Sequence, residues 1–323
     1  YKYRLIIGIL MTFSAKFLAL KIPQIIGNSL NIVEDYQKGI ITDLEEINND
    51  LGLKFEVTYF GLPNENIAAL VRKVVVTNLK EETLEFEMLD GISQLLPHQV
   101  KNGDFKALAN LIRSWMEVYS LDNNVGYYRM RSSSADVAEV IEVQSGNFYV
   151  SNVDGELIKP IVDSRLVFDY DTGKNVARFF ENHSIEEIYN EEQVTANKIP
   201  VGFTGLKLSL SQNESKRINT VIGHTHSEEN FVKMAKGLSD SEYLDSKRQE
   251  AFDVIEDMLE EVTSETSFPI FDDYIKQNFL DNLLRGGYPL ILKGDNKNLV
   301  YHLYSRRHGD LERDYNYFSL APE

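Results

Sequence analysis

The densest group of chemically active side chains lies near the end of the chain. The segment Ser305-Arg306-Arg307-His308-Gly309-Asp310 places two guanidinium groups, an imidazole and a carboxylate within five residues. Guanidinium groups donate paired hydrogen bonds to anions, so such a set suits an anion or a sugar. Arg306, Arg307, His308 and Asp310 are therefore candidate substrate-binding residues, and the alternative is a solvated loop.

A second candidate is the motif Tyr127-Tyr128-Arg129, which combines aromatic rings with a guanidinium group. This chemistry suits sugars and phosphates. We take Tyr127 and Arg129 as candidate sugar contacts. The alternative is an ordinary cross-strand pair in a β-sandwich.

Two further motifs favour loop structure over metal binding. His224 and His226 are two residues apart, so a strand would place both on one face, but no third ligand lies nearby in sequence. The segment Asp169-Tyr170-Asp171-Thr172-Gly173 begins like a calcium loop yet lacks the later carboxylates, which favours a turn. We expect no metal site, and since no nucleophile elbow, phosphate loop or dinucleotide fingerprint occurs, we assign no catalytic residue.

Composition limits the possible partners. The 323 residues carry a formal charge of −17 and no cysteine, which opposes nucleic-acid and anionic-membrane binding and favours a reducing compartment, in our interpretation the cytoplasm. The apolar run Leu5–Leu20 contains Ser14 and Lys16, and it is too short to span a bilayer. It predicts two buried strands.

A period of two dominates the chain up to Gly223. Leu53, Phe55, Val57 and Tyr59 alternate with polar residues, as in a strand with one buried face. Similar patterns predict strands at Leu70–Val76, Leu84–Met88, Tyr127–Arg131, Ala138–Val143, Phe148–Asn152, Arg165–Tyr170, Val201–Leu210 and Lys216–Ile222. One apolar stripe predicts a helix over Phe105–Tyr119. A mainly β fold, a large double sheet, follows.

After Gly223 the period becomes helical. Helices are predicted near 228–236, 241–263 and 270–285, and a β-hairpin over Tyr288–Tyr304. No closing element is predicted for Ser305–Glu323. We therefore divide the chain into a β-domain (1–223), a helical linker (224–287), and a hairpin with the start of a further region (288–323).

This order of elements resembles the N-terminal part of the inverting β-glucan phosphorylases, the cellobiose and cellodextrin phosphorylase group. The resemblance rests on Gly52–Pro63, Ala69–Asn78, Tyr127–Arg131, Gly205–Gly223 and Phe268–Leu284. In the last stretch Asp273, Asn278 and Leu280 stand where the family's first barrel helix begins. The hairpin and the charged segment after it look like an insertion, which suggests a related but distinct family.

The resemblance implies a β-supersandwich followed by a helical linker that leads to an (α/α)6 catalytic barrel, which we do not find in this chain. We therefore expect an internal fragment without catalytic activity. The parent enzyme would cleave a β-glucan with inorganic phosphate as co-substrate, giving α-glucose 1-phosphate without metal or organic cofactor. The resemblance also implies a homodimer and contact with the chain's own barrel. The alternatives are a non-catalytic carbohydrate-binding or assembly sandwich and the N-domain of a glycoside hydrolase.

Overall fold

Alternating apolar and polar residues build most strands of the structure, a computed structural model. It describes residues 3–6, 41–98, 100, 102–133, 139, 141–286, 290–292, 299–305 and 318–322. Within this part, contacts divide the chain into two compact units, residues 40–251 with the first 35 residues, and residues 252–323 with residues 36–39. The predicted boundaries at 223 and 287 stay predictions.

The first unit contains eleven described strands. They are β1 (Tyr3–Ile6), β2 (Ile41–Asn48), β3 (Leu53–Gly61), β4 (Ala68–Asn78), β5 (Leu84–Ile92), β6 (Met116–Tyr119), β7 (Gly126–Met130), β8 (Gly146–Val153), β9 (Glu156–Leu157), β10 (Gly202–Leu210) and β11 (Ser215–Thr225). An antiparallel sheet has the order β2-β3-β4-β11-β8-β7-β6, with β9 paired to β8. A smaller sheet has the order β1-β5-β10, in which β1 runs parallel to β5.

The two sheets pack face to face and form a sandwich. Phe55 and Val76 of the large sheet share one buried cluster with Met88 and Leu208 of the small sheet. Each such side chain removed from water stabilises the fold by about 1.5–3 kcal/mol. The prediction of a mainly β, sandwich-type fold is confirmed. On the other face of the large sheet, Val71 of β4 pairs in register with Val221 of β11, and Val221 pairs with Val150 of β8. All three valines are buried, so this face of the large sheet is covered as well.

Helices follow and interrupt these strands. They are α1 (Asn102–Leu108), a 3-10 helix (Ala109–Trp115), a short 3-10 turn (Leu121–Asn123), α2 (Arg165–Phe168), α3 (Arg178–Asn182), α4 (Ile185–Asn190), α5 (Glu228–Leu238) and α6 (Ser241–Leu259). The Ser227 hydroxyl caps α5 by accepting a hydrogen bond from the Asn230 amide at 3.4 Å. Phe231 of α5 stacks on Phe148, with ring centroids 4.7 Å apart, and thereby covers the outer face of the large sheet.

Three sequence predictions in this unit were wrong. The predicted helix Phe105–Tyr119 ends as strand β6, because Met116 and Val118 point to the core while Glu117 and Tyr119 alternate outward and pair with β7. The predicted strand Arg165–Tyr170 begins with α2, whose first amide donates to Asp163 Oδ1 at 3.0 Å. A short apolar run fits either structure, and here a local carboxylate decides.

The third wrong prediction is the strand Ala138–Val143. Among its described residues, 139 and 141–143 belong to no strand, and the Val143 carbonyl accepts a hydrogen bond from the Arg129 side chain at 3.2 Å where a strand would pair with backbone. Of the predicted strands within Leu5–Leu20, only the first residues belong to β1, and residues 7–20 lie outside the described residues.

The second unit contains helix α7 (Pro269–Gly286) and a sheet of β12 (Leu290–Leu292), β13 (Leu299–Ser305) and β14 (Phe318–Pro322). Leu290 faces Tyr301 in antiparallel register, so the predicted hairpin is confirmed. Strand β14 was not predicted; it pairs with β13 and closes this small sheet. In the first turn of α7, the Asp272 carboxylate accepts a hydrogen bond from the Thr266 amide at 2.9 Å, and this backbone bond holds the pKa of Asp272 below its usual range.

No helix in the described part of the chain has the length and apolar character needed to cross a bilayer.

Candidate functional site

The outer face of the β6–β7 hairpin carries a group of polar and aromatic side chains. Glu117 lies opposite Arg129, and Tyr119 lies opposite Tyr127, so all four point to the same face of the sheet. The Arg129 guanidinium carbon lies 4.2 Å from the centre of the Tyr119 ring, a cation–π contact. We call Glu117, Tyr119, Arg129, Glu142 and Glu228 the outer-face cluster.

Carboxylates surround the arginine and the tyrosine of this cluster. Arg129 Nη1 donates to Glu142 Oε1 at 3.2 Å. The Tyr119 hydroxyl donates to Glu117. Burial and this hydrogen bond raise the pKa of Tyr119 to about 12, so its hydroxyl is protonated at neutral pH. Glu228, in the first turn of α5, accepts a hydrogen bond from the Ser120 hydroxyl at 2.6 Å.

Arg129 retains donor capacity that the fold does not use. Its side chain is 12% exposed. Three hydrogen bonds donated by its Nη1 measure 3.2–3.4 Å. Among the described residues, Arg129 Nε has no hydrogen-bond partner, although that atom is buried. A buried donor without a partner costs free energy.

Tyr127, the other sequence candidate here, lies in the interior. Its ring is fully buried and stacks on Phe231, with centroids 5.7 Å apart. Its hydroxyl donates to the Gln144 carbonyl at 2.7 Å, and burial raises the pKa of Tyr127 to about 12. Sugar contact by Tyr127 and Arg129 stays a prediction.

The remaining binding candidates, Arg306, Arg307, His308 and Asp310, lie outside the described residues.

The structure adds a third imidazole to the predicted histidine pair. His98 stacks on His224 with ring centroids 3.8 Å apart, and His226 meets His224 edge-on at 5.1 Å. Burial, followed by the neighbouring imidazoles, lowers the pKa of His224; burial and His226 lower that of His98. Within the described residues, no three histidine, cysteine or acidic side chains are arranged to hold a metal ion.

The segment Asp169–Gly173 forms a turn, as predicted. Asp171 accepts hydrogen bonds from the amides of Gly173 at 2.9 Å and Asn175 at 3.1 Å. The Val176 amide has the largest effect on the pKa of Asp171, and together with the amides of Gly173 and Asn175 it lowers that pKa. The carboxylate therefore organises its own loop.

Sequence reasoning missed two features. Tyr119 was placed on a helix, although the alternation of Met116-Glu117-Val118-Tyr119 carries the period of a strand. Arg72 interrupts the apolar run of β4, and it forms an ion pair with Asp90 of β5 between the two sheets. An arginine inside such a run is the available indication that a buried acid faces it.

No family model matches this chain, and no curated protein matches it. Two solved structures are similar in part. One is named a polysaccharide lyase, with 11% identity and a TM-score of 0.30 over 59% of this chain. The other is named a putative kojibiose phosphorylase from human microbiome, with 9% identity and a TM-score of 0.21 over 76% of this chain.

The matches cover 24% and 25% of those two structures, so this chain spans about a quarter of their length. Both names are those of carbohydrate-active enzymes. The superpositions are loose at these TM-scores, and the sandwich described above rests on its own strand pairing and core.

Proposed function

We propose that this chain is the N-terminal, non-catalytic portion of a carbohydrate-active enzyme, specifically a glycoside phosphorylase that cleaves a β-glucan with inorganic phosphate. The observation that carries the proposal is the order of elements: a two-sheet sandwich up to β11, then helices α5, α6 and α7. This order agrees with the sandwich and linker that the resemblance to the cellobiose phosphorylase group implies.

Two buried carboxylates of the sandwich, Asp90 and Asp163, support a non-catalytic role. Asp90 is held by Arg72. Asp163 accepts hydrogen bonds from the Arg165 amide at 3.0 Å, the Val194 amide at 3.1 Å and Lys198 Nζ at 3.3 Å. A glycosidic acid must present its proton to the leaving oxygen, and carboxylates bound in this way serve the fold instead.

The mechanism proposed for the parent enzyme is a single displacement. Phosphate attacks the anomeric carbon, and a carboxylic acid on the opposite side protonates the leaving oxygen, which inverts the anomeric configuration and gives α-glucose 1-phosphate. Phosphate replaces the activated water of an inverting hydrolase. In this proposal the acid and the phosphate pocket belong to a catalytic barrel, and neither a metal nor an organic cofactor takes part. We also propose that the protein is a homodimer and that it is located in the cytoplasm.

The test follows glucose 1-phosphate release from a β-glucan by this chain and by its parent protein, with the anomer assigned by NMR. We expect phosphate-dependent α-glucose 1-phosphate from the parent and no turnover by the chain alone. Turnover by the chain would contradict the non-catalytic role. Hydrolysis by the parent without phosphate would favour the glycoside hydrolase, and no turnover by either would favour a carbohydrate-binding or assembly sandwich.

A further inference from the structure

We infer that the outer-face cluster is a binding surface for a neutral saccharide, with the Tyr119 ring as its apolar floor and Arg129 as its central donor. The inference deepens the proposed function and rests on its carbohydrate class, but it does not require phosphorolysis. It assigns to the sandwich a substrate-holding role outside the catalytic region.

The chemistry of the cluster matches the hydroxyl groups of a sugar. Each hydroxyl both donates and accepts, so recognition needs acceptors and donors side by side. Glu117 and Glu142 supply acceptors, and Arg129 Nη1, whose contacts with Glu142 and Gln144 are exposed, supplies a donor. The Tyr119 ring supplies the apolar area on which a sugar ring can lie, as aromatic side chains do in ligand sites.

The side of the cluster at Glu142 is accessible to a ligand. Glu142 is 62% exposed and Arg131, beside Glu117 at 3.8 Å, is 43% exposed. Glu142 and Arg129 are 3.2 Å apart in an exposed contact, which a ligand hydroxyl can replace at little cost. By contrast, the rigid sheet fixes Tyr119 and Arg129 opposite their partners on β6 and β7.

The charge of the surface selects against anions. Three carboxylates, on Glu117, Glu142 and Glu228, face two guanidinium groups, on Arg129 and Arg131, which gives a local charge of 2 − 3 = −1. The chain as a whole carries −17. A phosphorylated sugar or a polyuronate would be repelled, whereas a neutral glucan would not.

The test is calorimetric titration of the 323-residue chain with a neutral β-gluco-oligosaccharide, cellotetraose, with an oligogalacturonate as the anionic comparison. We expect saturable binding of cellotetraose and at least tenfold weaker binding of the anion. Tyr119→Ala should weaken cellotetraose binding at least tenfold, while Tyr119→Phe, which keeps the ring, should retain most of it. Tyr170→Ala, at an exposed tyrosine in the Asp169–Gly173 turn, is the matched control and should bind like the unchanged chain.

Two further variants separate a binding role from a folding role. Arg129→Met should weaken binding at least tenfold, and Glu142→Gln, on an exposed side chain, should weaken it several-fold while circular dichroism shows an unchanged fold. No binding by the unchanged chain, or binding that none of Tyr119→Ala, Arg129→Met and Glu142→Gln alters, would overturn the inference. If cellotetraose binding fails in this way but the parent enzyme still releases glucose 1-phosphate, the proposed function holds and only the saccharide-binding role of the outer-face cluster is refuted.

Discussion

Arg72 and Asp90 form an ion pair between the two sheets of the sandwich: the guanidinium of Arg72 on β4 donates to both carboxylate oxygens of Asp90 on β5. The Asp90 side chain is fully buried and that of Arg72 is 11% exposed. Tyr59 completes the group by accepting a hydrogen bond from Arg72 Nε at 3.0 Å. Burial alone lowers the pKa of Arg72, but Asp90 and Tyr59 together outweigh it, and the pKa of Arg72 lies above its usual value. Arg72 therefore stays charged inside the core.

Removing one partner of this pair should be costly. We expect Asp90→Ala to lower the free energy of unfolding by about 3–5 kcal/mol, because Arg72 would remain buried without its counter-charge. Urea unfolding at neutral pH measures the effect. Glu229→Gln, in the exposed i,i+4 pair with Lys233, is the control and should leave the midpoint unchanged. A variant as stable as this control would contradict the structural role of the pair.

Replacing both partners by apolar residues should restore much of the loss. The double variant Arg72→Met/Asp90→Leu removes both charges together, and such replacements are often neutral or stabilising. The unfolding free energies of Arg72→Met, Asp90→Leu and the double variant, compared with the unchanged chain, form a double-mutant cycle. Additive effects would show that the two side chains do not interact.

Phe231 should anchor helix α5 to the large sheet. Its ring stacks on Phe148 and Tyr127 and is almost completely buried. We expect Phe231→Ala to cost about 3–5 kcal/mol in unfolding free energy. Leu111→Ala, at an exposed apolar position of the 3-10 helix, should change it by less than about 0.5 kcal/mol. Equal effects of the two substitutions would argue against packing of α5 on the sheet.

Gly223 and Gly237 offer a comparison of the same substitution in two environments. A Cβ at Gly223 in β11 would lie 2.4 Å from the Ala68 carbonyl oxygen and 2.5 Å from the Phe148 ring, so Gly223→Ala should cost about 1–3 kcal/mol. At Gly237 in α5 nothing lies within 4 Å of the added atom, and alanine should be neutral or stabilise by up to about 1 kcal/mol. Thermal unfolding of both variants measures the difference, and a tolerated Gly223→Ala would contradict the close approach of β4 and β11.

The histidine stack should make stability depend on pH below the ordinary histidine pKa. Burial lowers the pKa of His98 and His224 in the folded state, so the unfolded chain binds more protons there. The stabilising contribution is therefore complete above about pH 6.5 and is lost as pH falls through the folded-state pKa values. Denaturant unfolding between pH 7.5 and 5.0 measures this dependence.

His224→Asn should flatten the profile in that window. His183→Asn, at a histidine outside the stack, is the matched control and should keep the slope of the unchanged chain. If the pH dependence of the unfolding free energy is the same in His224→Asn as in the unchanged chain, protonation of the histidine stack is not linked to unfolding.

The sequence determined the strands whose alternation reflects a half-buried sheet. Leu53, Phe55 and Val57 alternate with Lys54 and Glu56, and β3 has this pattern of buried and partly exposed positions. Helices α5, α6 and α7 followed in the same way from their period and caps, because local hydrogen bonds and one apolar stripe suffice to specify a helix.

Tertiary structure decided the short segments and the site. Met116–Tyr119 continues an apolar stripe along the sequence, but β7 offers unpaired backbone groups, and pairing with them satisfies the amides that a helix would otherwise satisfy. The same pairing brings Tyr119 within 4.2 Å of Arg129, ten residues further along the chain. The contact between Arg72 and Asp90 depends on two sheets packing together, a long-range event that local sequence patterns do not encode.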